Sequence, residues 1–227
     1  MTRSHQDTIF LFDVDNTLLD NDAVQDDLSE HLQRRFGLAA RERYWSIFET
    51  LRAELGYADY LGALQRYRLL EEPDDPQLLH MSGFLIDYPF ASRLYPQALE
   101  AVAHCARHGR TAILSDGDVV FQPRKVTRSG IWDAVEGHVL IYLHKEQMHA
   151  AIERHYPARH YVMFDDKLRI LTAMKQGWGS RLTTVFVRQG HYALDLANIS
   201  AYPPADVTLE RIGELVSHPL TDFTGAS

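Results

Sequence analysis

At 227 residues, 45% hydrophobic and 24% charged, the chain has the make-up of an ordinary globular protein, with length for one large domain carrying an insertion or for two small domains. Its formal net charge of −8 excludes a broad electrostatic grip on nucleic acid, which needs a positive face, but leaves room for a small anion held by a few local cations. No stretch approaches the roughly 18 apolar residues of a membrane span, Met1–Thr8 is polar with no apolar signal region, and Cys105 has no second cysteine to pair with, so the chain is read as cytoplasmic with no membrane partner.

Ile9–Phe12 is a short unbroken apolar run that ends in acids, the pattern of a buried strand in a parallel sheet. From Asp22 to about Tyr88 the period changes. Val24, Leu28, Leu32 and Phe36 form one helical stripe, Tyr44, Phe48, Leu51 and Leu55 a second, and Tyr57, Leu61 and Leu64 a third. Gly37, Gly56 and the stretch Pro73–Pro76 punctuate these helices. No strand pattern occurs there, so residues 21–88 are predicted to be an all-helical insertion.

Pro89 and Pro96 mark the return. Ala98–His108 reads as helix with Gly109 at its end. Thr111–Leu114 reads as a strand running into Ser115-Asp116-Gly117-Asp118, and Val119–Ser129 as helix. Val139–Leu143 is predicted strand, Lys145–His155 helix, and Tyr161–Phe164 a strand ending at Asp165-Asp166. Leu168–Gln176 reads as helix, Thr183–Val187 as strand, and a short strand near Val207 precedes a helix over Leu209–Val216. The polar tail Thr221–Ser227 is predicted loose. This alternation predicts an α/β fold: a Rossmann-like parallel sheet between two helical layers, built from residues 1–20 and 89–227.

Open parallel sheets place their sites at the carboxyl ends of strands. There the first strand delivers Asp13-Val14-Asp15-Asn16-Thr17, the second Ser115, and the fourth Asp165-Asp166, while Lys145 opens the helix before the fourth strand. Two carboxylates one residue apart repel each other unless a cation neutralises them. Mg²⁺ suits the task, because it takes carboxylate and carbonyl oxygens together with substrate phosphate. Either Asp165 or Asp166 would complete its cage. Carboxylates are also nucleophiles toward phosphorus. Among the four lysines, Lys125 is the rival of Lys145 for the phosphate-gripping cation.

In order and spacing these segments resemble the four motifs of the haloacid dehalogenase-like superfamily: Asp13-Val14-Asp15-Asn16-Thr17, then Ser115, Lys145 and Asp165-Asp166. The resemblance implies a Mg²⁺-dependent phosphatase acting on a small-molecule phosphate monoester. Asp13 would be the nucleophile forming an aspartyl-phosphate, and Asp15 the general acid and base, its backbone carbonyl also on the metal. Thr17 would hold the loop, and Ser115 and Lys145 would grip phosphoryl oxygens, with Asp116 and Gly117 completing substrate binding. Asp13, Asp15, Asp165 and Asp166 would form the metal site, with Asp165 the direct ligand of the fourth motif. An insertion between the first two motifs would be a helical cap that closes over the leaving group.

The chain departs from the family pattern at Phe164, where many members carry Gly, and at Lys167 and Arg169, near which many carry another acid. Asp116 and Asp118 add negative charge after Ser115. A dehalogenase of the same family is opposed by Asp15, which such enzymes lack, and they need no metal. A phosphomutase shares the motifs, and an inactive regulatory member would lack one of them. The twelve histidines show no metal-ligand spacing. Substrate identity and oligomeric state are not legible in the sequence.

Overall fold

The computed structural model describes residues 8–70, 76 and 78–223; the expectations made for Met1–Asp7, for Pro73 and for the last four residues lie outside them. Among the described residues, no helix is long and apolar enough to cross a membrane.

Six strands form one sheet: β1 (Thr8–Phe12), β2 (Arg110–Asp116), β3 (Val139–Tyr142), β4 (His160–Asp165), β5 (Leu182–Val187) and β6 (Val207–Leu209). They lie in the order β3-β2-β1-β4-β5-β6 and every pairing is parallel. The fold is therefore the α/β Rossmann-like class expected. β1 sits in the interior of the sheet and pairs with β2 on one side and β4 on the other. The first, second and fourth strands, which carry the candidate residues, are thus immediate neighbours.

The pleat divides the strand side chains between two cores. Phe10 and Phe12 of β1 face one core together with Ile113, Val162, Phe164 and Val185. Ile9 and Leu11 face the other with Ala112, Leu114 and Met163. The rings of Phe12 and Phe164 stack with centroids 4.4 Å apart. That contact accounts for Phe164, because the large ring fills the space beneath the two strand ends.

Among the described residues of the expected insertion, 21–88, there are four helices: α1 (Asn21–Phe36), α2 (Leu38–Leu55), α3 (Tyr60–Leu70) and α4 (Leu78–Asp87). Their stripes are largely those read from the sequence. Val24, Leu28 and Leu32 are buried, as are Tyr44, Phe48, Leu51 and Leu64. Leu55 is not, at 39% exposed; it is the last residue of α2, where Gly56 turns the chain in the left-handed conformation. In α3 the buried face is Tyr60, Ala63, Leu64 and Tyr67, so the third stripe starts three residues later than expected.

The chain enters and leaves this insertion through two bonded segments. The Asp20 N–H donates to the Arg93 carbonyl (2.8 Å), and the Tyr95 N–H donates to the Leu18 carbonyl (3.0 Å).

The remaining helices are α5 (Ala98–Ala106), α6 (Phe121–Arg128), α7 (Ile131–Ala134), α8 (His149–His155), α9 (Leu168–Trp178), α10 (Gly190–Leu194) and α11 (Leu196–Ser200). From α6, Arg124 donates to the Ile86 carbonyl (3.1 Å) and Arg128 to the Asp87 carbonyl (2.9 Å), satisfying backbone acceptors left open at the end of α4. Most boundaries shift by one or two residues from the sequence reading and α7, α10 and α11 were not expected there, but three differences are larger or touch the site. Lys145–Gln147 is a separate 3₁₀ turn ahead of α8, Ile212–Ser217 is 3₁₀ rather than α, and β2 runs on through Ser115 and Asp116. The last follows from pairing: Ser115 and Asp116 have partners in Ile141 and Tyr142 of β3.

Candidate active site

The loop after β1 is closed on itself. The Val14 carbonyl accepts from the N–H groups of Thr17 (3.3 Å), Leu18 (2.9 Å) and Leu19 (2.9 Å). Asn16 takes the left-handed conformation (φ 60°), which Asn tolerates better than most residues. Its Oδ1 accepts from the N–H groups of Asn21 (3.0 Å) and Asp22 (3.2 Å) at the start of α1. Gly190 must be glycine here, since a Cβ would fall 2.4 Å from Asn16 Cγ. The Asp13 N–H donates to the Phe164 carbonyl (2.9 Å), so Asp13 is fixed to the end of β4 as well as β1.

Lys145 is the centre of the site. Its Nζ lies 2.6 Å from Asp13 Oδ1 and 2.7 Å from Asp165 Oδ2, and donates to the Leu114 carbonyl (3.2 Å). Its N–H donates to Asp116 Oδ1 (2.7 Å). The 3₁₀ turn makes this possible by setting the lysine at the mouth of the strands. Burial alone would push the ammonium pKa down, but the carboxylates of Asp13, Asp165 and Asp116 outweigh it and hold the group above its ordinary value. Ser115 Oγ donates to the same Asp13 oxygen at 3.3 Å. Gln122 Nε2 donates to Ser115 Oγ (3.0 Å). Gly117 leaves room for Gln122, because a Cβ would stand 2.6 Å from the Gln122 Cβ.

Carboxylate oxygens of Asp13, Asp165 and Asp166 lie within 4.8 Å of one another, and all three residues are buried. Asp13 Oδ2, Asp165 Oδ2 and both oxygens of Asp166 are buried without a hydrogen-bond partner. Burial pushes the Asp166 carboxyl pKa well up, against the pull of Lys167, whose Nζ is 3.6 Å from Oδ1. Burial raises Asp165 too, with Lys145 opposing it. Buried carboxylates without partners are costly. A divalent cation taking oxygen ligands is the group that would satisfy them, and the residues present fit it. Asp165 is already engaged, since its Oδ1 accepts from the Lys167 N–H (2.8 Å) and its Oδ2 faces Lys145. Asp166 has a cation only at longer range, Lys167 Nζ being 3.6 Å from its Oδ1.

Asp15 stands apart from this cluster. Its Oδ1 is 2.6 Å from Lys125 Nζ, and its Oδ2 accepts from Gln122 (3.4 Å). Lys125 is fully buried, while the Asp15 side chain keeps 25% exposure. The same ammonium donates to Asn21 Oδ1 (2.9 Å), and Asn21 donates to the hydroxyl of Tyr60 in α3 (3.3 Å). Thr17 is buried and its hydroxyl has no partner.

The structure therefore brings Asp13, Ser115, Asp116, Lys145, Asp165 and Asp166 together, with Asp15 directed to a second lysine. Sequence reasoning treated Lys125 and Lys145 as competitors; each has its own aspartate. The available signal was helical spacing. Phe121, Gln122, Lys125 and Val126 form the buried face of α6, and a lysine on such a face needs an acid opposite. Gln122 and Asn21 gave no signal of comparable strength.

A family model for haloacid dehalogenase-like hydrolases matches residues 8–177. Among solved structures, a provisionally assigned haloacid dehalogenase-like hydrolase from Burkholderia xenovorans LB400 is 68% identical, with a TM-score of 0.89 over 94% of this chain and 99% of that one. A haloacid dehalogenase-like family hydrolase from Xanthomonas campestris shares 16% identity (TM-score 0.64, 93% and 90% covered). The L-2-haloacid dehalogenase of Xanthobacter autotrophicus shares 19% (TM-score 0.61, 94% and 97% covered). At those identities the last two likenesses concern the fold alone. No curated protein matches the chain.

Proposed function

The chain belongs to the haloacid dehalogenase-like hydrolases, and within that family we propose that it is a Mg²⁺-dependent phosphatase of a small-molecule phosphate monoester in the cytoplasm. The observation that carries this reading is the buried carboxylate cluster of Asp13, Asp165 and Asp166 with unpartnered oxygens on Asp13 and Asp166, set against a lysine that contacts Asp13. Asp13 and Asp166, with the Asp15 carbonyl, would hold the ion, and Asp165 would orient Lys145. The bound ion would supply positive charge to the phosphoryl oxygens.

The chain's own groups then divide the work. Asp13 attacks phosphorus in line, forming the aspartyl-phosphate as the ester oxygen leaves. Lys145 and Ser115, both bonded to Asp13 Oδ1, stabilise the charge on the phosphoryl group. Asp15 gives a proton to the leaving oxygen and afterwards takes one from the attacking water. The helical insertion acts as the cap, excluding bulk water and contacting the leaving group.

The test is phosphate release from a panel of monoesters, with Mg²⁺ and with chelator, and halide release from 2-haloacids in parallel. Phosphate release that needs Mg²⁺ supports the reading. Full phosphatase activity in excess chelator would falsify the metal scheme, and halide release without phosphate release would make the chain a dehalogenase. An isomeric product from a sugar monophosphate would mark a phosphomutase.

A further inference from the structure

Beside the catalytic cluster, between the helical insertion and the ends of β4 and β5, lies a cavity of about 180 Å³. Arg52 of α2, Lys167 and Arg169 line it, together with Phe186, Tyr192 and Tyr202. No carboxylate is among its lining residues. Lys167 belongs to both places: its Nζ is 3.6 Å from Asp166 Oδ1 and 5.1 Å from the centre of the Tyr192 ring. The cavity thus opens one residue from the metal-binding acids.

Arg52 differs from the arginines around it. Arg34 pairs with Glu30, Arg41 with Gln33 and Arg66 with Glu54, all at exposed positions on the insertion itself. Arg52 reaches across to the core and donates to the Tyr192 hydroxyl. The closest acids are Glu49 for Arg52 (3.5 Å), Asp166 for Lys167 (3.6 Å) and Glu146 for Arg169 (3.2 Å), and Lys167 also feels the charges of Asp13, Asp165 and Asp15. Two guanidinium forks with five N–H donors apiece still exceed what those contacts use.

The groove on the other side of the cluster, about 810 Å³, has the opposite character. It is lined by Asp59 and Asp118 with apolar residues and has no cation. The two openings therefore differ in the sign of their charged lining.

We propose that the Arg52, Lys167 and Arg169 cavity is a subsite for a second anionic group on the leaving portion of the substrate. The preferred ester is then a small phosphomonoester that also carries a carboxylate or another phosphate. This rests on the phosphatase reading. The phosphoryl group occupies the Asp13, Ser115 and Lys145 site, and the second anion meets the guanidinium forks, which match carboxylate and phosphate alike.

The test is calorimetric titration of the full chain carrying Asp13→Asn, so that ligands are not turned over, in the presence of Mg²⁺. The ligands are glycerol 3-phosphate, 3-phosphoglycerate, which replaces its terminal CH₂OH by a carboxylate, and propane-1,3-diol bisphosphate, which carries a second phosphate. At least one of the last two should bind on the order of tenfold tighter than glycerol 3-phosphate, the scale of one charge-assisted hydrogen bond. Adding Arg52→Gln should remove most of that advantage, and so should Arg169→Gln, at a position exposed enough to spare the fold. Equal binding of all three ligands, or an advantage that both substitutions leave intact, overturns the subsite. Phosphate release by the unsubstituted chain is measured separately. Release without charge discrimination sinks the subsite and keeps the phosphatase, whereas discrimination without release does the reverse.

Discussion

Lys125 Nζ lies 2.6 Å from Asp15 Oδ1 with the lysine side chain wholly removed from solvent, and Lys145 Nζ lies 2.6 Å from Asp13 Oδ1 in the same condition at 2% exposure. The two aspartates that the mechanism assigns to different steps thus have different lysines, and the two can be separated by substitution.

Lys145→Ala should lower turnover on the order of 10²-fold or more, because it removes charge from the phosphoryl site. Lys125→Met should lower it less, about tenfold, by loosening Asp15. Its larger effect should be on stability, about 2–4 kcal/mol; that is at or below the cost of breaking a fully buried pair, because part of Asp15 stays in water. Steady-state rates and urea unfolding of both variants check this. A greater loss of turnover in Lys125→Met would exchange the two roles.

Asp13→Asn should abolish covalent labelling and turnover together, since an amide is a poor nucleophile. Asp15→Asn should form phosphoenzyme from an activated ester, whose leaving group needs little proton help, and hydrolyse it slowly. Acid-quenched labelling with a radiolabelled activated phosphate ester, mapped by mass spectrometry, distinguishes them. Label on Asp15 would reverse the assignment, and an active enzyme with no trapped label would point to direct attack by water.

The two acids after β4 should also separate. Asp165 is held closely, by Lys145 at 2.7 Å and by the Lys167 N–H at 2.8 Å, whereas Asp166 has no hydrogen bond and only Lys167 at 3.6 Å. Asp166→Asn should weaken Mg²⁺ binding more than Asp165→Asn, which should act chiefly on turnover through Lys145. Because burial raises the Asp166 carboxyl pKa, and the metal needs the ionised form, Mg²⁺ affinity should rise with pH across that raised range. Equilibrium Mg²⁺ titrations at several pH values read both effects. Equal loss of affinity in the two variants would make both acids direct ligands.

Burial pushes the Asp116 carboxyl up to about 6, with Lys145 pulling the other way. A carboxyl raised above its unfolded value binds its proton more tightly in the folded state. Its favourable contribution is full below the unfolded value near 3.8 and is lost as pH rises through about 6. Metal-free protein should therefore lose stability between pH 4 and pH 7 by this route, and Asp116→Asn should lose less. Urea unfolding in chelator measures the difference, and parallel pH profiles for the two proteins would refute the assignment.

How much of this was legible beforehand depended on the kind of signal. Ile9–Phe12 and Tyr161–Phe164 are buried on both faces, so they read as unbroken apolar runs, and the acids after them were visible as strand ends. The stripes of α1 and α2 were equally plain. Less visible was anything set by contacts between distant segments. Lys125 is one of eight residues in a short helix, and its partner Asp15 is 110 positions away. Which of Asp165 and Asp166 is reached by Lys145 was likewise hidden, because it depends on a segment 20 residues earlier. The 3₁₀ turn at Lys145–Gln147 escaped notice because its residues carry no pattern that separates it from a first turn of α8.

β1 has a consequence for how the molecule is made. It is synthesised ahead of the other strands of the sheet, and its partners on the two sides begin at Arg110 and His160. The helices that follow it can form from local contacts, while β1 itself has no neighbour until much of the chain exists. Pairing over such sequence separations is slow, and an unpaired apolar strand is prone to aggregate. Asp13 is bonded to the Phe164 carbonyl, so the proposed nucleophile is not set in place before β4 has been synthesised. Termination ahead of β2 leaves a fragment whose apolar strand has neither sheet neighbour, the kind of product that a cell's quality control must remove.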